Sequence, residues 1–270
     1  MTDTLSIAVA GAAGRMGRQI IAAASTRRHT VTGGSEQAES SDFATDLGVL
    51  AGLPPLGRFP TQAVADAAAD ADTWIDFTRP SATLGALEAL RSTSVKTVII
   101  GTTGFLDEEE DALAQHQHRY SIVKAGNFSL GVALLSALTR MAAEKLGEDW
   151  DIDILEAHHR HKVDAPSGTA LMLGDAAATG RGQSLQDVRL SPYDGADAKR
   201  QPGKIGFASS RTGDIVGEHE VRFGSETELV KLSHTALNRR VFAEGAIKAA
   251  EWASMQSPGL YGIHDVLGLA

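Results

Sequence analysis

The sequence predicts an α/β fold in two parts, and three observations carry that reading. Short apolar runs alternate with helical patterns through the first half of the chain. Several of those runs end in small or polar residues. Beyond residue 204, three β-type runs follow one another with no helix between them. Alternating strands and helices argue a parallel sheet. Strands in succession argue an α+β part with a mixed or antiparallel sheet.

Residues 5–10 (LSIAVA) read as a buried strand. They lead directly into Gly11-Ala12-Ala13-Gly14-Arg15-Met16-Gly17, and a helical pattern spans 15–26. Strand, glycine-rich turn and helix form the context of a dinucleotide-binding turn. Gly11 permits a tight turn, Gly14 lets backbone amides approach a pyrophosphate, and Gly17 lets the helix pack on the strand. The helix N-terminus then faces the negative charge. The spacing is G-x-x-G-x-x-G, not the commoner G-x-G-x-x-G. A second strand at 30–34 ends in Ser35-Glu36. An acid about 20 residues past such a turn binds ribose hydroxyls, so Glu36 is the candidate; a solvated loop carboxylate is the plainer alternative. Arg15 can meet a 2′-phosphate, whereas Gln37 supplies no charge.

Residues 37–70 show no clear element, and Pro54-Pro55 interrupts them. A strand at 74–77 ends in Thr78-Arg79-Pro80-Ser81, which suits a helix start; that helix runs to about 91. A strand at 97–100 ends in Gly101-Thr102-Thr103-Gly104, followed by an acidic helix over 107–118. A strand at 121–123 ends in Lys124-Ala125-Gly126-Asn127-Phe128-Ser129. Ligands of open parallel sheets bind beyond the carboxyl ends of the strands, so these turns line one edge.

A long amphipathic helix covers 129–146. The 151–157 run alternates polar and apolar residues, as a half-buried strand does, and delivers the segment EAHHRHKVDAPSGTA at 156–170. A helix follows over 168–179, then a loop over 180–203. Strands are expected at 205–210, 215–223 and 228–234, and a closing helix over 238–255 with Asn238 as N-cap.

Composition sets outer limits. The 270 residues are 43% hydrophobic and 22% charged, a globular composition with room for two modest domains. A net charge of −9 argues against nucleic acid as the main partner, because phosphate binding needs a basic face. An anionic substrate then needs a local basic cluster. The chain has no cysteine, which excludes disulfides, thiolate zinc sites and a cysteine nucleophile. The opening residues MTDTLSIAVAG lack a signal-peptide pattern, and no apolar run is long enough to cross a bilayer. The expected location is the cytoplasm, with no membrane partner.

The densest chemistry lies in the histidine segment. If the strand continues through it, His159 and His161 share a face and His158 takes the other. A metal site is one reading, but the H-E-x-x-H pattern is absent, Asp164 comes one position too late for H-x-H-x-D-H, and no other Asp/His cluster occurs. Surface histidines at a strand end are the plain alternative. The third reading is acid–base work, since imidazole titrates near neutrality. Lys162 can donate a proton or hold a carboxylate. Ser167-Gly168-Thr169 opens a helix and offers amides and hydroxyls to an anion, and Arg160 with Lys162 supplies local positive charge.

Together GAAGRMG, FTRP, GTTGF, AGNFS, EAHHRHKVDAPSGTA and a later GDIVGEH resemble the 4-hydroxy-tetrahydrodipicolinate reductase family, historically called dihydrodipicolinate reductase, over essentially the whole chain. The resemblance implies a Rossmann-type cofactor domain from 1–128 and 239–270. It implies a substrate-binding and oligomerisation domain from 129–238, building a homotetramer through its sheet. By similarity, His158 is the acid/base residue and Lys162 the proton donor. His159, Ser167, Gly168 and Thr169 bind the substrate carboxylate, and Arg239 matches an arginine near the interdomain region. NADH or NADPH is held by Gly11, Ala12, Ala13, Gly14, Arg15, Met16, Glu36, Gln37, Thr78, Arg79, Gly101, Thr102, Thr103, Ala125, Gly126, Asn127 and Phe128. The implied reaction is loss of water from the 4-hydroxy substrate with hydride added at ring carbon 4. Some members carry arginine at the position of Gln37, so the expectation is dual cofactor use with a tilt toward NADH. A non-catalytic dinucleotide-sensing protein and a metal-dependent hydrolase are the alternatives from other classes; the first has no need of His158 and Lys162.

Overall fold

The computed structural model describes residues 4–190 and 192–269. Residues 1–3 and 270 of the expected cofactor domain, and Ser191 of the expected loop, lie outside the described residues. The chain forms two compact units, Met1–Ser129 with Arg240–Gly268, and Leu130–Arg239.

The first unit begins with β1 (Ser6–Ala10), α1 (Arg15–Thr26) and β2 (Thr30–Ser35). The stretch without sequence signals holds two single turns, α2 (Leu47–Leu50) and α3 (Val64–Ala67). Asp46 makes α2 possible: its carboxylate caps Gly48 and Val49 and also accepts from the Leu56 and Arg58 amides. Next come β3 (Thr73–Asp76), α4 (Pro80–Ala89, with Pro80 in its first turn), β4 (Thr97–Ile100), α5 (Asp107–Ala114) and β5 (Ser121–Lys124). The expected helices to 91 and 118 finish as short 3₁₀ turns over Leu90–Ser92 and Gln115–His118.

The second unit holds α6 (Leu130–Leu146), β6 (Asp151–His158), α7 (Gly168–Gly180), α8 (Leu185–Val188), β7 (Ile205–Arg211), β8 (Gly217–Gly224) and β9 (Leu229–Ala236). Then α9 (Arg240–Ala253), β10 (Gly259–Tyr261) and α10 (Ile263–Val266) complete the first unit. Helix α9 opens two residues beyond Asn238, and α8 interrupts the expected 180–203 loop, capped by Ser184.

The first sheet has six strands in the order β10-β5-β4-β3-β1-β2, all parallel. Strands β3 and β4 are buried at every residue, as a sheet covered by helices on both faces requires. Strand order reverses beside β1, so the crevice at the carboxyl ends of β1 and β3 is the topological switch point.

The second sheet runs β7-β6-β8-β9. Strand β6 alternates along its length, with Ile152, Ile154, Glu156 and His158 on the buried side. The three consecutive strands do not form a simple antiparallel set. Strand β6 lies between β7 and β8, parallel to β7 and antiparallel to β8. Only β8 and β9 form a hairpin. The sheet is mixed because the long loop after α7 returns β7 to the outer edge of β6. Leu135 and Ala143 of α6, Leu173 and Ala177 of α7, and Ile154, Phe207 and Phe223 of the strands make one core.

Candidate active site

At the switch point the turn after β1 closes on itself. Gly11 has φ of +60°, a region that favours glycine, and its carbonyl accepts from the Gly14 N–H at 2.9 Å. A Cβ on Gly17 would run into the Gly11 carbonyl and Ala12 backbone, so only glycine lets α1 start this close to β1. Helix α1 has Gly14 at its N-cap, no side-chain cap and no acidic residue in its first turn. Its first N–H groups therefore suit a phosphate. The Ala13 amide donates to Glu36 Oε1 at 2.7 Å, which holds the carboxylate against the turn.

Gly11, Glu36, Gln37, Thr78 and Arg79 meet around a cleft of about 540 Å³. Gln62, Val64, Trp74 and Asp76 also line it, and none of them was among the expected site residues. Arg15 is exposed on α1 and is not among the lining residues. Asp76 is 1% exposed. Its Oδ1 accepts from the Thr78 N–H at 2.9 Å, Thr78 Oγ1 at 2.6 Å and Thr102 Oγ1 at 3.3 Å. Burial raises its pKa against these bonds. One carboxylate thus joins the turns after β3 and β4. Phe128, from the turn after β5, lies 5.3 Å from the Phe77 ring, and the Ala125 amide donates to Ile100 at the end of β4. The Ser129 amide donates to the Asn127 side chain at 2.8 Å. A positive-φ turn, an uncapped helix start and a cleft that sets Glu36, Thr78 and Arg79 among apolar walls fit a dinucleotide, and these residues would hold it.

In the second unit, β6 ends at His158 and the chain turns, so the histidines do not continue a strand. The His159 and His161 rings still lie 6.3 Å apart. His158 is buried, its Nδ1 2.5 Å from Glu156 Oε2. Burial pushes the His158 pKa down while Glu156 pulls it up. Arg211 grips Glu156 with two nitrogens, at 2.9 and 2.7 Å. Burial raises the Glu156 pKa, but the bonds from Arg211, Ser209 and His158 outweigh it and bring the carboxyl to about 2. The His219 ring stands edge-on to His158 at 5.1 Å, and its Nε2 lies 3.2 Å from Ser167 Oγ. Burial, with His158 nearby, lowers His219 to about 4. Lys162 Nζ sits 2.9 Å from Asp164 Oδ1.

Ser167 caps α7 through the Ala170 N–H at 3.2 Å. Gly168 is exposed and Thr169 half-buried at the helix start. Arg239 Nη2 donates to His159 Nε2 at 3.0 Å. The segment thus brings its own Glu156, His158 and Ser167 and two groups from outside it, Arg211 and His219, into one cluster. Glu156 was not among the expected site residues; its signal was its place two before His158, on the same face of a strand. Arg211 and His219 lie more than 50 positions away; Arg211 had no local signal, and His219 closes the GDIVGEH motif, from which no role had been read. Among the described residues no group of three or more metal-binding side chains is close enough to hold an ion.

Family models described as "Dihydrodipicolinate reductase, N-terminus" and "Dihydrodipicolinate reductase, C-terminus" match residues 5–128 and 131–267. The chain belongs to the dihydrodipicolinate reductase family. A 4-hydroxy-tetrahydrodipicolinate reductase of Parvibaculum lavamentivorans is 49% identical, and one of Cereibacter sphaeroides 47% identical, each with both chains covered in full. Among solved structures, a dipicolinate-bound dihydrodipicolinate reductase from Paenisporosarcina sp. TG-14 superposes with a TM-score of 0.75 at 22% identity. That match covers 97% of this chain and 99% of the other. An amine dehydrogenase from Mycobacterium smegmatis matches at 0.67 and 12% identity, covering 97% and 95%. These likenesses show the fold, and the family membership rests on the sequence.

Proposed function

We propose that this chain reduces (2S,4S)-4-hydroxy-2,3,4,5-tetrahydrodipicolinate to tetrahydrodipicolinate, with loss of water, in lysine and diaminopimelate biosynthesis. The observation that carries the reading is the buried His158, paired with Glu156 and set beside the Ser167 helix start, in a chain of this family. The first unit is the cofactor domain, with the turn from Gly11 to Met16, Glu36 and the β3, β4 and β5 turns holding NADH or NADPH. When bound, the nicotinamide supplies a hydride. The residues of this chain supply position and protons. Ser167, Gly168 and Thr169 bind a substrate carboxylate at the α7 N-terminus, where backbone N–H groups and the helix dipole favour an anion. His159 and Arg239 assist there. His158, with Lys162, delivers the proton that balances the hydride.

Gln37 at the cleft favours NADH, because it offers no charge to a 2′-phosphate. The second unit is the substrate and oligomerisation domain of a cytoplasmic homotetramer. Its sheet carries a cleft of about 460 Å³ bounded by Glu220, Arg222 and His234, a surface for a second copy; light scattering tests the assembly. The test of function is NADH and NADPH oxidation with enzymatically generated substrate. Wild type is expected to turn over, and His158→Gln and Lys162→Ala to lose most of that rate. Wild-type turnover in both variants would remove the site assignment.

A further inference from the structure

One buried carboxylate organises the histidine segment. Glu156 is 4% exposed and uses both oxygens. Oε2 accepts from Arg211 Nη1 at 2.9 Å and lies 2.5 Å from His158 Nδ1. Oε1 accepts from Arg211 Nη2 at 2.7 Å and from the Ser167 backbone N–H at 3.3 Å. An ionised carboxylate only accepts, so the hydrogen on Nδ1 of neutral His158 points to Glu156. Nε2 then holds the lone pair and takes up the mobile proton. Residue 217 is the neighbour on β8. It is glycine, and a Cβ there would stand 3.2 Å from Nε2 and 3.5 Å from Cδ2.

We propose that Glu156, clamped by Arg211, is a positioning residue: it makes Nε2 the working nitrogen of His158 and ties that ring to the Ser167 turn, while Gly217 keeps Nε2 accessible. This rests on the reading of His158 as the acid/base residue. The groups facing the ring are Glu156 on its own strand, Arg211 on β7, His219 on β8 and Lys162 in the following turn. Against the lowering by burial, Glu156 raises the His158 pKa, and Lys162 and Arg211 lower it further. His219, lowered to about 4, stays uncharged near neutrality.

Glu156→Gln tests this without removing bulk. With its oxygen at the Oε1 position, the glutamine still accepts from Arg211 and Ser167, and its NH₂ faces His158 Nδ1. Reversed, the NH₂ meets two donors, Arg211 and the Ser167 N–H. The first arrangement has the fewer conflicts, and it moves the ring hydrogen to Nε2. Ring ¹⁵N shifts report the tautomer without any turnover.

The expected result is Nδ1–H in wild type and Nε2–H in Glu156→Gln. The alkaline limb of the variant's kcat profile moves to lower pH, because a charge that raised the His158 pKa is gone. Its kcat falls about tenfold or more, with NADH affinity unchanged. Gly217→Ala lowers kcat with the wild-type tautomer. Nε2–H in wild type would overturn the proposal, and that measurement stands even where the variant fails to fold. So would a Glu156→Gln protein with the wild-type tautomer and limb, including one that only melts earlier. Undiminished kcat in Gly217→Ala removes the access role. Full turnover in His158→Gln would instead unseat the reading of His158, with the tautomer results intact.

Discussion

Glu251 receives Arg27 through two nitrogens, Nε at 2.8 Å and Nη2 at 2.7 Å, across 224 positions of chain. His29 Nε2 lies 3.0 Å from the same carboxylate. His29 Nδ1 accepts from the Leu5 N–H at 3.2 Å, so Nε2 carries the hydrogen and donates to Glu251. The cluster ties α9 to the end of α1 and the start of β2. Glu251 is 5% exposed, and removing it strands a guanidinium and an imidazole N–H.

Glu251→Ala is therefore expected to cost about 2–4 kcal/mol, read from urea unfolding. Burial raises the Glu251 pKa, but the bonds from Arg27 and His29 outweigh it and leave the group below the usual carboxylate value. A depressed carboxylate stabilises fully above the unfolded value, about 4.3, and the contribution is lost as pH falls through the folded value. Wild-type stability should fall more steeply below about pH 4 than that of Glu251→Gln. Parallel acid profiles would remove Glu251 from this account.

His219 gives a second pH window. Its folded pKa is about 4 because it is buried, against about 6.5 for free imidazole. Between those values the unfolded chain binds a proton that the folded chain refuses, so stability rises with pH across the window and levels off above it. Unfolding free energies measured through the window should drop on acidification in wild type. They should drop less in His219→Gln, which keeps a partner for Ser167. Equal slopes would show that His219 is not the group responsible.

Gly17→Ala places a methyl group against the Gly11 carbonyl and Ala12. Overpacking of this kind costs about 1–3 kcal/mol, and here the backbone that must yield is the glycine-rich turn proposed to hold the cofactor's phosphates. The expected outcome is a lower Tm together with weaker NADH binding by fluorescence titration. A loss of stability with wild-type NADH affinity would separate the turn from the cofactor.

Gln37→Arg introduces a guanidinium beside Glu36 at the cleft. A charge-assisted pair with a 2′-phosphate is worth roughly 1.5–3 kcal/mol, so the ratio of kcat/KM for NADPH over NADH should rise by about tenfold or more. An unchanged ratio would place the cofactor's discrimination elsewhere.

The elements were legible where pattern and context agreed. The 97–100 strand is apolar after Thr97 and β-branched throughout, and the α1 limits follow from the glycine turn and the amphipathic run. The segment over 37–70 was opaque because its order comes from one side chain: Asp46 accepts from four amides reaching to Arg58, bonds that no periodicity records. Strand β10 has three residues after a proline and exists only because β5 offers an edge. In the site, His158, Lys162 and the Ser167 turn announced themselves by residue type. Arg211 did not, since an arginine on a strand reads as a solvated side chain until the fold places a buried carboxylate opposite it. The order β7-β6-β8 was hidden for the same reason, because pairing partners depend on the long return after α7.

The place of β10 has a consequence for synthesis. Strand β5 is made early, but the strand that pairs with its outer edge comes from residues 259–261, after the whole second unit has been translated. Until then a nascent chain exposes β5 as an open edge whose main-chain groups have no partner, a template for association with other chains. Helix α9, which brings Glu251 to Arg27, arrives in the same late portion. The glycine-rich turn after β1 is thus made before the second unit, and the unit that carries it is completed only after the second unit.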